Sequence, residues 1–219
     1  MRYKIISHIF SNAKETFMLS QWAISQIIFD KDNGEEINDN SIKADRYELE
    51  NGEFNGFHSP AVPKLSQTVP DEMVSFIMEI VFNHSKQETE EIKITHLESM
   101  ASENAVGALL ERYLDSVLRE KGWAWCCGNF VKAIDFIKFD NGVWFELQIK
   151  NRSNTENSSS SKIREGTSIH KWYRTEAKTG ETMWNNVPEP MKGMNLSEEG
   201  IKKFVEQYLK KNINLGKGN

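Results

Sequence analysis

The stretch VKAIDFIKFDNGVWFELQIK, residues 131–150, decides the fold. It contains two runs of β-branched and aromatic residues on either side of Asn141-Gly142. Asn-Gly between two such runs is the strongest short-range signal for a β-hairpin. The stretch therefore predicts two antiparallel strands joined by a tight turn.

The turn also fixes which residues face each other. If Asn141 and Gly142 form a two-residue loop, Asp140 pairs with Val143, and Asp135 then lies opposite Gln148. Side chains alternate between the two faces of a strand. One face is expected to carry Ala133, Asp135, Ile137, Phe139, Trp144, Glu146, Gln148 and Lys150. Carboxylates, an amide and an ammonium on one patch are costly to bury without a purpose.

This patch suits metal-dependent hydrolysis of a phosphodiester. Mg²⁺ takes oxygen ligands, commonly one or two from protein and the rest from water and phosphate. Asp135 is the first candidate ligand, with the amide oxygen of Gln148 and the backbone carbonyl of Ile149 as neutral ones. Lys150 is the candidate for positioning the attacking water or offsetting developing charge.

A second carboxylate has two candidates. Glu103 belongs to the helix predicted before the strands, and it shares one side of that helix with Glu111, since 103, 107 and 111 are four residues apart. Glu146 is the alternative, one same-face step nearer the turn than Gln148. The alternative is a purely structural role: the helix glutamates would form a solvent-exposed stripe, and the charged sheet residues a salt-bridged patch on an open sheet face.

The surrounding patterns predict helices around this sheet. Helical spacing is seen over residues 12–29, a long polar loop over 30–67, and an aromatic strand over Trp123–Cys127. Further helices are expected at Pro70 to about Asn83, Ser99 or Ser102 to about Glu120, about Thr167–Ala177, and from Ser197 onward. We expect an α+β fold with a central mixed, mostly antiparallel sheet flanked by helices. Residues 1–97 would form a largely helical elaboration, for dimerisation or DNA wrapping, and 98–219 the core, with one continuous domain as the alternative.

Composition narrows the class of protein. The 219 residues carry a net charge of −5, with a balance of −8 in residues 1–100 and +3 in 101–219. No apolar run reaches about 18 residues and no signal peptide is recognisable, which predicts a cytoplasmic protein without a membrane segment. The only cysteines, Cys126 and Cys127, are adjacent, which argues against a disulfide framework and zinc-type spacing.

The segment after Lys150 has the composition of a nucleic-acid reader. Seven basic and three acidic residues fall within 148–180, so positive charge follows directly on the candidate site. Arg and Asn can contact base edges, while Ser and Lys hold phosphates. The candidates are Arg152, Asn154, Asn157, Ser158, Ser159, Lys162, Arg164, His170, Lys171, Arg174 and Asn185. A flexible polar linker is the alternative explanation of the loop 151–161.

Two resemblances follow from these motifs. The order helix–meander–helix, with Asp135 and then Gln148-Ile149-Lys150, resembles the PD-(D/E)xK nuclease superfamily, with Gln where the superfamily usually has Asp or Glu. The stretches 103–114, 122–126, 132–136 and 147–161 look like those of type II restriction endonucleases of the SinI/AvaII group, which cut within GG(A/T)CC. This resemblance covers residues 98–190.

The resemblance implies a restriction-endonuclease-like core and Mg²⁺-dependent, sequence-specific cleavage of double-stranded DNA by a homodimer, with no small-molecule cofactor. The glutamine leaves open whether one or two metals bind. It also motivates a second hypothesis, a non-catalytic nucleic-acid-binding module on a degenerate nuclease fold. A structure-specific repair nuclease is the third.

Overall fold

The computed structural model describes residues 56–127, 133–154 and 166–215. The chain divides into two compact units. In the described part, the sheet unit consists of residues 56–59 and 110–206, and the helical unit of residues 60–109 and 207–215. The elements predicted for residues 12–55 and the loop 155–161 fall outside the described residues.

The sheet unit is built on one four-stranded mixed sheet. Its strands are β1 (Trp123–Trp125), β2 (Phe136–Asp140), β3 (Val143–Arg152) and β4 (His170–Thr175), in the order β1-β2-β3-β4. The first three strands form an antiparallel meander, and β4 runs parallel to β3. The α+β class with a mixed sheet is therefore confirmed.

The β2–β3 hairpin has the predicted register. Asp140 pairs with Val143 and Phe136 with Leu147. Asn141 and Gly142 both have positive φ, 50° and 81°, as the favoured two-residue hairpin turn requires. Asn tolerates this backbone region and Gly adopts it freely, so the turn chemistry fixes the register locally.

The helix predicted over Thr167–Ala177 is wrong, because His170–Thr175 forms β4. Strand β3 has ten residues and β2 only five. Strand β3 pairs with β2 along one edge, and its other edge is available for pairing with His170–Thr175. Trp172 is buried in the core while its neighbours Lys171 and Tyr173 lie on the other face. Tertiary pairing overrides a local pattern that was too short to distinguish a strand from a helix.

Helix α1 spans Glu72–Phe82 and matches the predicted second helix. Its N-cap is Asp71, whose Oδ1 accepts a hydrogen bond of 2.9 Å from the backbone N–H of Met73. Asn83 ends the helix in the left-handed conformation, with φ of 57°, which is a common helix C-terminus.

Helix α2 spans Lys86–Leu118 and begins well before the predicted start at Ser99 or Ser102. Ser85 and Glu88 form a capping box: the Ser85 N–H donates to Glu88 Oε2 (2.7 Å) and the Glu88 N–H donates to Ser85 Oγ (3.3 Å). Residue 97, where the predicted N-terminal part ends, lies inside this helix, and that division stays a prediction.

Helix α3 spans Glu198–Leu215, and the predicted cap is confirmed, since Ser197 Oγ accepts a 3.0 Å hydrogen bond from the N–H of Gly200. The core of the sheet unit combines side chains from α2, the sheet and α3. Its largest members include Leu110, Leu114, Leu118, Trp123, Phe136, Leu147, Trp172 and Ile201. Within the described ranges, no helix is both long and apolar enough to cross a membrane.

Candidate active site

Asp135 lies between β1 and β3, one residue before β2 begins. Its backbone N–H donates to the carbonyl of Leu147 and its own carbonyl accepts from the N–H of Cys126, both at 2.8 Å. Its carboxylate Oδ2 accepts a hydrogen bond of 2.5 Å from the N–H of Ile149. Ala133, two residues earlier, has a φ of 65°, a strained conformation of the kind found at functional sites. The backbone therefore holds this carboxylate against β3.

The paired register ends at Phe136 and Leu147, and Asp135 contacts the next part of β3 through Leu147 and Ile149. Gln148 is buried, with 2% of its surface exposed, and Lys150 follows on the same face and is partly buried. The N–H and C=O of a strand residue point to the same neighbouring strand. Because the N–H of Ile149 reaches Asp135, its carbonyl lies on that side too. The structure therefore brings Asp135, the backbone of Ile149 and Lys150 together, and the assignment of Gln148 to the site stays a prediction.

Glu111 of α2 joins Asp135 at this site. It is partly buried, and its Oε2 accepts a 3.0 Å hydrogen bond from Trp125 Nε1. Burial and the charge of Asp135 raise the pKa of Glu111 to about 7, against the opposing effects of Trp125, Arg112 and Lys150. A carboxylate whose charge raises the pKa of another in this way lies within electrostatic reach of it.

The pKa of Asp135 is also raised, to about 6, mainly because burial disfavours the charged form. The Ile149 N–H and the Lys150 ammonium oppose this rise but do not cancel it. The site thus holds two partly buried carboxyl groups with Lys150 near both and Arg112 near Glu111, and both pKa values are nevertheless raised. Perturbed groups of this kind concentrate at functional sites.

This donor set fits a single Mg²⁺ ion. Among the residues that the structure describes, no three or more His, Cys, Asp or Glu side chains cluster as a metal site. Two carboxylates, the Gln148 amide oxygen and the Ile149 carbonyl are all hard oxygen ligands, which Mg²⁺ prefers, with water completing its shell. A divalent cation would also offset the repulsion between Asp135 and Glu111.

The two glutamates proposed from the sequence differ in their surroundings. Glu103 is exposed on the part of α2 that belongs to the helical unit. Glu146 is buried on β3, pairs with Ile137, and accepts a 3.2 Å hydrogen bond from Ser168 Oγ. Both assignments stay predictions, but the helix carboxylate that interacts with Asp135 is Glu111.

A signal for Glu111 was present in the sequence. The last two turns of α2 lead directly into β1, so a side chain there lies beside the sheet. A helix rises about 1.5 Å per residue, which separates Glu103 from Glu111 by about 12 Å along the axis. The two carboxylates are therefore too far apart to bind one metal ion together, and the interaction with Asp135 favours Glu111.

The hydrogen-bond partner of Glu111 is itself fixed. The guanidinium of Arg112 lies over the Trp125 ring, 5.1 Å from its centroid. The same guanidinium donates to the carbonyls of Gly56 (3.0 Å) and Ser59 (2.5 Å). Arg112 thus ties residues 56–59 to α2 and restrains the indole that holds Glu111.

The described DNA-contact candidates have mixed surroundings. Arg152 is exposed and donates to the carbonyl of Ala177 at 3.1 Å, while Asn154 and Asn185 are exposed. His170 stacks on Phe145 with a centroid separation of 4.2 Å. The remaining described residue, Lys171, pairs with Gln148 in the β3–β4 register and so lies beside the carboxylate site.

Arg174 is engaged inside the protein. Its Nη1 donates to both carboxylate oxygens of Glu198 at 2.7 Å, and its Nε donates to Asn151 Oδ1 at 3.0 Å. These contacts favour a role for Arg174 in holding β4 to α3 over a role in reading DNA. Five other candidates, namely Asn157, Ser158, Ser159, Lys162 and Arg164, lie outside the described residues.

Comparison with known proteins gives concordant matches. The model of the family described as SinI restriction endonuclease matches residues 22–211. The type II restriction enzyme Eco47I of Escherichia coli is 50% identical over 162 residues, which is 73% of this chain and 70% of that enzyme. The type II restriction enzyme SinI of Salmonella infantis is 46% identical over 178 residues, 80% and 77% of the respective chains. The matched range includes Asp135, Glu111 and Lys150.

Proposed function

Because the chain belongs to the SinI restriction endonuclease family, we propose that it hydrolyses DNA with Mg²⁺ at the site formed by Asp135, Glu111, Gln148 and Lys150. The chain is a type II restriction endonuclease, a site-specific deoxyribonuclease that acts on double-stranded DNA. This membership favours the nuclease hypothesis over a non-catalytic binding module. The roles of the individual residues and the metal are the proposal.

One observation carries the assignment of the site: two partly buried carboxyl groups, Asp135 and Glu111, both have a raised pKa beside the ammonium of Lys150, and the charge of Asp135 adds to the rise at Glu111. Burying such a pair is costly unless a cation compensates its charge. A structural patch would be expected to pair each carboxylate with its own Arg or Lys, as Asp115 pairs with Arg119 at 2.6 Å on the same helix.

The metal would be held by the carboxylates of Asp135 and Glu111, with the Gln148 and Ile149 oxygens as neutral ligands. Bound there, Mg²⁺ supplies a Lewis acid that polarises the phosphate and lowers the pKa of the attacking water. With glutamine in place of an acid at position 148, the ligand set carries two negative charges. That charge supports one metal ion rather than two.

The protein side chains supply orientation and charge. The Ile149 N–H and the Trp125 indole N–H each occupy one carboxylate oxygen and fix the rotamers of Asp135 and Glu111. The Lys150 ammonium can donate to the attacking water and offset negative charge that develops on the phosphate. A preorganised site of this kind avoids reorganisation when the phosphate reacts.

The target we propose is GG(A/T)CC, on the basis of the motifs that resemble the SinI/AvaII group. The described side chains that we propose for DNA contact are Arg152, Asn154, His170, Lys171 and Asn185. Arg can read guanine through O6 and N7, and Asn can read adenine through N6 and N7. A homodimer is part of the proposal, since a nearly two-fold symmetric target is matched by a two-fold symmetric protein.

The deciding experiment is a plasmid digest with the ends of the products sequenced. We expect discrete fragments with Mg²⁺, no cleavage with EDTA, and ends that all fall within GG(A/T)CC. Cuts confined to mismatches or junctions would instead support a repair nuclease, and uniform ends at another sequence would refute the target alone.

Two variants test the residue roles. Lys150→Ala and Asp135→Ala should each lower the cleavage rate by at least about 10³-fold, while a gel shift with the target in Ca²⁺ persists. Lys178→Ala is the matched control, because Lys178 is exposed in the turn after β4, and it should cleave within about threefold of the wild type. Near-normal cleavage by both site variants would refute the assignment.

A further inference from the structure

Helix α1 exposes almost all of its apolar side chains. None of its residues is buried, and seven of its apolar side chains are between 47% and 66% exposed. This set, which we call the α1 face, consists of Met73, Val74, Phe76, Ile77, Ile80, Val81 and Phe82. Together they expose roughly 700 Å² of mostly apolar surface, which exceeds the largest patch of a typical monomer. A surface of this kind marks an interaction site.

The α1 face is too broad for a single covering helix. At about 100° per residue its side chains span roughly 240° of the helix circumference, whereas one packed helix buries a stripe of about 100°. Together with the first part of α2, α1 also lines a groove of about 600 Å³, whose apolar lining includes Val74, Met78, Ile92 and Met100. The two-helix hairpin formed by α1 and residues 86–109 of α2 therefore needs a partner that offers more than one helix.

DNA does not fit this surface. Residues 60–109 contain three lysines, no arginine, and eight Asp or Glu residues, which gives a charge of −5. A polyanion binds through the release of its counterions by Lys and Arg, and neither the charge nor the apolar character of this unit provides that. A protein surface of the same apolar character is the better occupant.

We propose that the α1 face is the surface through which two copies of this chain associate, with α1 and residues 86–109 of each copy completing a four-helix arrangement. A hairpin from a second copy supplies the two helices that the breadth of the face requires. About 700 Å² from each copy is close to the ~800 Å² per partner of a standard interface.

The proposal rests on the proposed function in one respect. In the described part of the chain, the proposed site contains one pair of interacting carboxylates, Asp135 and Glu111. One such site cuts one strand. Cutting both strands of a duplex in one binding event therefore requires two copies.

The test is the mass of the protein in solution. By light scattering after size-exclusion chromatography, the wild type should be a dimer. The double variant Ile77→Glu, Val81→Glu should have the mass of a monomer, because four charges would be buried in the interface. The matched control is Val143→Glu, at a residue 67% exposed in the sheet unit, which should remain a dimer. A wild-type monomer, or a double variant that stays dimeric, overturns the proposal.

A second measurement on the double variant distinguishes two occupants of the α1 face: a second copy of the chain, or residues 1–55 of the same chain. If the face binds a second copy, the monomeric variant should keep the far-ultraviolet circular dichroism of the wild type. Trypsin should also cleave residues 1–55 of the variant no faster than those of a wild-type sample diluted to monomer. If the double variant has the same mass in solution as the wild type but trypsin removes residues 1–55 selectively, these residues cover the α1 face. That result overturns the proposal.

Cross-linking gives an answer that does not depend on folding of the charged variant. The native cysteines, Cys126 and Cys127, are both buried, so Ile80→Cys introduces the accessible thiol. A short bismaleimide should link Ile80→Cys to a covalent dimer at least tenfold faster than Val143→Cys, and equal rates would contradict the interface.

Plasmid products distinguish failure of the interface from failure of the proposed function. The double variant should yield nicked circles before linear DNA, with at least a tenfold drop in the initial ratio of linear to nicked product. A wild type that cuts no DNA would refute the function, while the mass and cross-linking results would still decide the interface.

Discussion

Asp135 and Glu111 show how a residue's role depends on its burial and its neighbours. Asp135 is held by a backbone N–H and Glu111 by an indole N–H. Neither of these two hydrogen bonds comes from a Lys or Arg side chain. Their neighbour Lys150 lowers the pKa of both, but burial raises both pKa values further, and the charge of Asp135 adds to the rise at Glu111. The pair is therefore prepared for a cation that the protein alone does not supply.

The two glutamates of α2 provide a matched test at the residue scale. Glu111→Gln removes one of the two carboxylates of the site while keeping an acceptor for Trp125, so we expect cleavage to fall by at least about 100-fold. Glu103→Gln makes the same change at an exposed position of the same helix, and it should leave the rate within about threefold. Single-turnover rates at saturating Mg²⁺ measure both.

A loss of metal affinity should accompany the change at Glu111. If Glu111→Gln is slow because a ligand is missing, higher Mg²⁺ concentrations should recover part of the rate, and the midpoint of the Mg²⁺ titration should rise at least tenfold. Equal rates for the two variants would refute the assignment of Glu111, and a defect in Glu103→Gln alone would restore the original sequence-based hypothesis.

At the element scale, the sequence predicted what local chemistry determines. The turn Asn141-Gly142 sets the β2–β3 register from Asp140–Val143 to Phe136–Leu147, and that register brings Asp135 next to the segment of β3 that carries Ile149 and Lys150. The end of α1 near Asn83 and the N-cap Ser197 of α3 were likewise predicted from the sequence. These features need only neighbouring residues, so a pattern in one sequence suffices to predict them.

The features that failed depend on distant contacts. Strand β4 exists because the long strand β3 has a free edge for His170–Thr175 to pair with, and six residues do not reveal this locally. The interaction of Glu111 with Asp135 likewise depends on where α2 ends against β1, while the assignment of Glu103 stays a prediction. The capping box Ser85–Glu88 would have corrected the start of α2, but it would not have brought either glutamate to the site.

Arg174 links β4 to α3, which gives the next prediction. Its guanidinium bridges Asn151 and Glu198, and Trp184 Nε1 also donates to Glu198 at 3.0 Å. Arg174→Met should lower the free energy of unfolding by about 1 to 3 kcal/mol, and Glu198→Gln should do the same. Burial alone would raise the pKa of Glu198, but the contacts of Arg174 and Trp184 lower it below the ordinary value.

Because the two changes break the same ion pair, their effects should overlap: the double variant should lose less than the two single losses added together. Urea unfolding of the four proteins measures this. If Arg174 instead binds DNA, Arg174→Met would leave stability unchanged and weaken target binding in Ca²⁺, which would contradict the structural role.

At the scale of the whole molecule, charge is unevenly distributed along the chain. The first hundred residues carry −8 and the remainder +3, while the candidate site and its basic neighbours all lie in the second part. Local fields rather than net charge attract a polyanion. An acidic protein overall can therefore bind DNA through one part and associate through another.

The last prediction concerns the stability of the folded chain and its dependence on pH and metal. The raised pKa values of Asp135 and Glu111 mean that the unfolded chain loses these protons first as pH rises. The resulting loss of stability is absent near pH 4 and complete above about pH 7, the pKa of Glu111. Asp135→Asn removes one charge and keeps an acceptor for Ile149, so without metal it should be more stable than the wild type at pH 8, by about 1 to 2 kcal/mol or roughly 2 to 8 °C in Tm.

Magnesium should reverse this order, because it binds the folded wild type and is linked to its stability. With saturating Mg²⁺ at pH 8 the wild type should gain several degrees in Tm, whereas Asp135→Asn should gain little. The gain should be smaller at pH 6, where protons compete for both carboxyl groups. Asp140→Asn is the control, because Asp140 is exposed on β2, and its Tm should follow the wild type with and without metal. If Asp135→Asn is less stable than the wild type in EDTA at pH 8, the two carboxylates are not held at a cost to the fold, and the reason for placing a cation between them disappears.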